Sequence, residues 1–140
     1  MTLHDLSQLY YLNREIEYDK ARLEELRASS GAPSSPAITG LPHSPSYNGS
    51  KVEREVLEIV TLERLIDNKI KRCELEYVRL QQFIDDIPDS LTRQVYQYRF
   101  INGLDWAQVA EHIGGGNTEG GVKKRCYRYL KQYNKERGIK

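Results

Sequence analysis

Apolar residues early in the chain recur at Leu9, Leu12, Ile16, Leu23 and Leu26, three and four apart, with Asp19 at the one step where another apolar residue is due. This spacing predicts a helix over residues 3–28. The pattern returns more strongly over residues 51–86. There Val56, Ile59, Glu63, Ile66, Ile70, Cys73, Tyr77, Leu80 and Ile84 alternate steps of three and four, and only Glu63 breaks the apolar stripe. A 3.5-residue repeat held this long predicts a helix whose seam faces another helix along its whole length, as a hairpin or a coiled coil. Between the two lies "SSGAPSSPAITGLPHSPSYNGS", residues 29–50, with four of the five prolines. Proline removes backbone donors and blocks helix, so an irregular connector is expected here, with Asn48 or Ser50 capping the second helix.

"DDIPDS" then stops the long helix, because Pro88 disfavours a helical Ile87 and Asp89 or Ser90 can cap a new one. Beyond it the periodicity shortens into three helices. The first covers about 90–101, with Leu91, Val95, Tyr98 and Phe100 on its apolar face, and "NG" at 102–103 closes it. Asp105 caps "WAQVAEHI", whose inner stripe is Trp106, Val109, Ala110 and Ile113. After the glycines at 114–116, Thr118 caps a longer helix that turns Val122, Cys126, Tyr129 or Leu130, and Tyr133 inward. The fold class expected is all-α: a long N-terminal helical hairpin or coiled coil over 1–88, then a three-helix helix-turn-helix domain over 89–140.

Charge sharpens this division. Residues 1–88 hold 11 Lys/Arg against 15 Asp/Glu, a net of −4, while residues 89–140 hold 10 against 5, a net of +5. The basic end calls for a polyanion, and a helix-turn-helix with a basic outward face can enter a major groove. The five glycines between 114 and 121 do not make a nucleotide cradle. Gly116 and Gly121 have Walker spacing, but Val122 stands where Lys is required, and Gly114 and Gly116 lack the third glycine of a dinucleotide fingerprint.

Other chemistry finds no foothold. Cys73 and Cys126 have no CxxC spacing and fit reduced thiols, and His4, His43 and His112 form no ligand pattern with them. No run approaches the roughly 18 apolar residues of a membrane span. No catalytic residues, cofactor or metal are therefore expected, nor any membrane partner.

"VYQYRFINGLDWAQVAEHIG", Val95 to Gly114, resembles the region 4 helix-turn-helix of bacterial sigma factors, with Arg99, Gly103, Leu104, Trp106, Val109, Ala110, Ile113 and Gly114 on characteristic positions. "TEGGVKKRCYRYL", Thr118 to Leu130, is similar to that family's next helix, matching at Val122, Lys123, Arg125, Arg128 and Leu130. Relative to the family, the turn holds about two extra residues among Gly114, Gly115, Gly116 and Asn117. The acidic, heptad-patterned first 88 residues do not look like the rest of a sigma factor. The combination resembles small phage-encoded transcriptional regulators of the ArpU and RinA type, which implies activation of late phage genes in the cytoplasm of a bacterial host.

On that basis the expected partner is double-stranded DNA, with host RNA polymerase as a further one. Arg125, Arg128 and Lys131 are expected on phosphates, and Thr118, Glu119, Lys123, Lys124 and Tyr127 at base edges. One helix-turn-helix reads few base pairs, so the N-terminal helices are expected to join a homodimer or higher homo-oligomer. Asp19 and Glu63 would restrict its register if each meets a Lys or Arg. Two alternatives use the same modules: a phage small terminase subunit that recognises packaging DNA, and a protein that binds RNA polymerase or a sigma factor.

Overall fold

The computed structural model describes residues 1–31 and 45–138, and for residues 30–31 and 45–50 the backbone alone. The protein is all-α. Five helices are present among these residues: α1 (Leu3–Gly31), α2 (Pro45–Asp85), α3 (Ser90–Tyr96), α4 (Trp106–Ile113) and α5 (Glu119–Glu136). Both long helices reach further into the connector than expected. α2 starts at Pro45, which places Asn48 and Ser50 inside the helix rather than at its cap. Proline is well tolerated in a first turn, where its missing N–H would have no helical partner. The rest of the expected connector, residues 32–44, lies outside the described residues.

The chain divides into two compact units, residues 14–72 and residues 1–13 with 73–140. The first is a helical hairpin. Ile16, Leu23 and Leu26 of α1 and Ile66 of α2 are buried, as the seam pattern predicts, whereas Ile59 and Ile70 are half-buried and Val56, expected on the same seam, is exposed. Both acidic seam residues find cations on the facing helix: Asp19 accepts from Lys69 Nζ at 2.5 Å and Glu63 from Arg27 at 2.6 Å. Asp19 keeps 12% and Lys69 25% of their side-chain surface exposed, so this pair sits mostly out of water and is held by its mutual charge.

The second unit packs α3, α4 and α5 with the first turns of α1 and the end of α2. Its core combines Leu6, Leu9 and Leu12 with Leu80, Phe83, Ile84 and Ile87, and with residues of all three short helices. The Phe83 ring meets Tyr133 edge-on at 5.0 Å and Tyr96 at 5.9 Å. Asn134, near the end of α5, donates to the Met1 carbonyl at 2.8 Å. Along α2, Cys73 and Leu80 are buried as expected but Tyr77 is exposed, and the neighbouring Glu76 is half-buried and paired with Arg79.

α3 is rotated from its expected face. Thr92, Val95, Tyr96 and Phe100 are buried, while Leu91 and Tyr98 stay half-exposed. The reason is the cap: Asp89 accepts both the backbone N–H and the hydroxyl of Thr92, at 3.0 and 2.7 Å, which satisfies a polar side chain inside the core. After Tyr96 the backbone widens into a π-helical turn, Gln97–Ile101, closed by Asn102 N–H on the Gln97 carbonyl. Gly103 follows at φ +71, the left-handed step expected of "NG".

Candidate nucleic-acid interface

α4 is started by the cap that the sequence announces. Asp105 accepts from the Gln108 N–H at 2.8 Å, and the Gln108 side chain accepts in return from the Asp105 N–H at 3.0 Å. Its inner residues Trp106, Val109 and Ala110 are buried and Ile113 half-buried. The helix ends at Gly114, whose N–H reaches the Ala110 carbonyl. Gly114, Gly115 and Gly116 then follow one another at φ +66, +63 and +80. Three successive left-handed residues are strained for any side chain, so glycine is what lets the chain turn here. Asn117 locks the turn by donating from both its backbone and side chain to the Gly114 carbonyl, at 3.2 and 2.7 Å.

Thr118 caps α5, its hydroxyl accepting from the Gly121 N–H at 3.1 Å. Val122, Cys126 and Leu130 are buried, which fixes the inner line of the helix, with Tyr129 and Tyr133 half-buried beside it. Tyr96 anchors this line from α3: its hydroxyl donates to the Cys126 carbonyl at 2.8 Å. Burial raises the Tyr96 phenol well above its ordinary value and pushes the Cys126 thiol up to about 11, so both remain protonated at neutral pH.

With the inner line fixed, the 100° step of an α-helix places Lys124, Arg128, Lys131 and Lys135 on the opposite side, at spacings of four, three and four. All four are exposed. Lys123 and Tyr127 lean toward α4. The Tyr127 ring meets Trp106 edge-on at 6.0 Å, and Lys123 Nζ lies 5.9 Å from the Tyr127 ring. Trp106 is covered on another side by the Arg99 guanidinium, 4.7 Å from its centre, and Arg99 also donates to the Leu104 carbonyl at 2.9 Å.

Arg125 leans the other way, donating to the Asp89 carboxylate at 3.1 Å across an exposed pair. Hydrogen bonds from Thr92, assisted by Arg125 and Arg93, hold the Asp89 carboxyl below its usual range. A cleft of about 440 Å³ opens between α3 and α5, lined in part by Asp89, Thr92, Lys124, Arg125, Arg128 and Gln132. Three cations face one carboxylate there, which suits an anionic group.

Of the eight residues singled out from sequence, Glu119, Lys123, Lys124, Arg125, Tyr127, Arg128 and Lys131 have exposed side chains on α5, and Thr118 stands exposed at its cap with its hydroxyl engaged. Lys135 was not among them, although it continues the row one helical turn beyond Lys131. Gly120 and Gly121 have different surroundings. A Cβ on Gly121 would come within 3.0 Å of the Thr118 hydroxyl, so the cap itself favours glycine there. A Cβ on Gly120 would meet nothing within 4 Å.

Among the described residues, no group of three or more His, Cys, Asp or Glu is placed to hold a metal ion, and no helix is long and apolar enough to cross a membrane. Compared with protein-family models, curated proteins and solved structures, the chain matches none.

Proposed function

We propose that this protein is a sequence-specific DNA-binding transcriptional regulator that lays α5 in the major groove, and that it serves as a phage late-gene activator in the bacterial cytoplasm. The observation that carries the reading is the exposed row Lys124, Arg128, Lys131 and Lys135, set opposite a buried line on a helix that a capped turn presents after α4. Such a row neutralises phosphates without regard to sequence, and it takes in Lys124, expected from sequence at base edges, while Glu119, Gly120 and Lys123 in the first turns would face base edges. The resemblance of Val95 to Leu130 to sigma region 4 supports the same placement, and the regulator role rests on that resemblance together with the acidic helical N-terminal half. Specificity then calls for two copies on one operator.

The test is a titration of duplex DNA with the wild-type chain and with Lys124→Ala/Arg128→Ala. Both side chains are exposed, so helicity by circular dichroism should be unchanged while affinity for any duplex falls at least about tenfold. Unchanged affinity would remove this face of α5 from the interface.

A further inference from the structure

The hairpin of residues 14–72 uses its heptad seam within one chain: Leu23, Leu26 and Ile66 are buried, and Asp19 and Glu63 are paired with Lys69 and Arg27. From Glu63 to Lys69 of α2, that seam is therefore occupied by the chain's own α1. These two ion pairs also set the register of the hairpin, since Asp19 faces Lys69 and, eight residues further on, Arg27 faces Glu63. Continued to Gly31, the last residue of α1, the register brings it level with the turn of α2 around Val60. α2 extends N-terminally from there to Pro45, about four more turns.

This part of α2 is apolar on a face of its own. Leu57 is 65% exposed and Val60 45%, while Val56, a seam position by its spacing, is 54% exposed where α2 runs past the end of α1. By helical phase Glu53, Leu57, Val60 and Arg64 form one line at steps of four, three and four, roughly 140° around the helix from Ile59 and Ile66 on the hairpin seam. Glu53 and Arg64 are exposed, and neither has an ion-pair partner among the described residues.

The order of residues on this line is self-complementary. If two copies of α2 cross antiparallel about a two-fold axis between residues 58 and 59, Leu57 of each copy meets the partner's Val60. Glu53 of each then meets the partner's Arg64. A two-fold interface requires one patch to match itself in this way, with an apolar centre and opposite charges at its two ends. In a parallel arrangement Glu53 would face Glu53 and Arg64 would face Arg64.

We propose that the line Glu53, Leu57, Val60 and Arg64 is a homodimer interface, on which a second copy of this chain docks antiparallel. This deepens the regulator reading by naming the surface that joins the two copies, and it rests on that reading only for its purpose; the dimer itself is measured without DNA.

Sedimentation equilibrium of the full chain should give twice the monomer mass. Glu53→Arg alone, or Arg64→Glu alone, places like charges opposite one another and should raise the dimer dissociation constant by about tenfold or more, while Glu53→Arg combined with Arg64→Glu should restore it. Leu57→Asp should leave a helical monomer. All four positions are exposed on a helix, so loss of fold is not the expected cause of any change, and circular dichroism checks it. A wild-type monomer at every concentration would overturn the proposal. So would single reversals that leave the mass unchanged, or a double reversal that fails to restore it. Weak but salt-dependent duplex binding by the Leu57→Asp monomer would show the DNA reading intact, whereas a dimer that ignores DNA would fail that reading and leave this one standing.

Discussion

Gly120 and Gly121 stand side by side in the first turn of α5, yet only one of them is crowded. Gly121 lies against the hydroxyl that caps the helix, and Gly120 faces open space on the outward side. Gly120→Ala is therefore expected to raise thermal stability, by up to about 1 kcal/mol, because alanine gives up less backbone freedom than glycine. In the same variant the proposed reading predicts a fall in duplex affinity, since the added methyl would stand between α5 and the groove. Gly121→Ala gains the same propensity but pushes on the cap, whose loss costs about 1 kcal/mol, so its melting temperature should stay near that of wild type. Thermal melts of the two variants decide this, and a destabilised Gly120→Ala would show a folding role for that glycine. The caps at Asp89, Asp105 and Thr118 were all legible in sequence, because each bonds a residue three positions away. Burial of Tyr96 was not. Its hydroxyl is satisfied by the Cys126 carbonyl 30 residues on, and nothing local marks that partner.

At the scale of elements, the three-and-four spacing identified both long helices and the inner stripes of α4 and α5. It says which residues face a partner helix and leaves open whether that helix belongs to the same chain. Asp19 and Glu63 carry the answer only once their cations are located, and Lys69 and Arg27 lie on the other arm of the same hairpin. The Asp19–Lys69 pair gives a direct energetic expectation. Lys69→Met strands a largely buried carboxylate and should cost about 3 kcal/mol in a denaturant titration, whereas Asp19→Leu with Lys69→Met should recover most of that loss. A single variant as stable as wild type would mean that the carboxylate finds water or another donor. Spacing also misjudged the phase of α3, because a buried threonine with both its groups bonded looks polar in sequence and behaves as core.

For the molecule as a whole, sequence separates an acidic heptad-patterned half from a basic short-helix half, and the turn at Pro88 marks where one pattern gives way to the other. Compactness follows a different line. Phe83, Ile84 and Ile87 precede that turn and are buried in the same unit as α3 to α5, and Met1 is bonded to Asn134 from 133 residues away. Contacts of that range depend on how helices stack, which a linear pattern does not encode. The candidate interface was more legible than the fold around it. A basic face shows directly as cations at helical spacing, and only its inner boundary, set by Val122, Cys126 and Leu130, had to come from packing.

The outward row on α5 is proposed to neutralise DNA phosphates. Its most direct measurement is the salt dependence of binding to a random-sequence duplex. The observed association constant should fall steeply with salt, and the logarithmic slope should become shallower by roughly 0.9 for each phosphate-contacting cation removed. Lys124→Ala/Arg128→Ala should thus flatten it by nearly two. No binding at low salt, or the same slope in wild type and variant, would rule out phosphate neutralisation by this row.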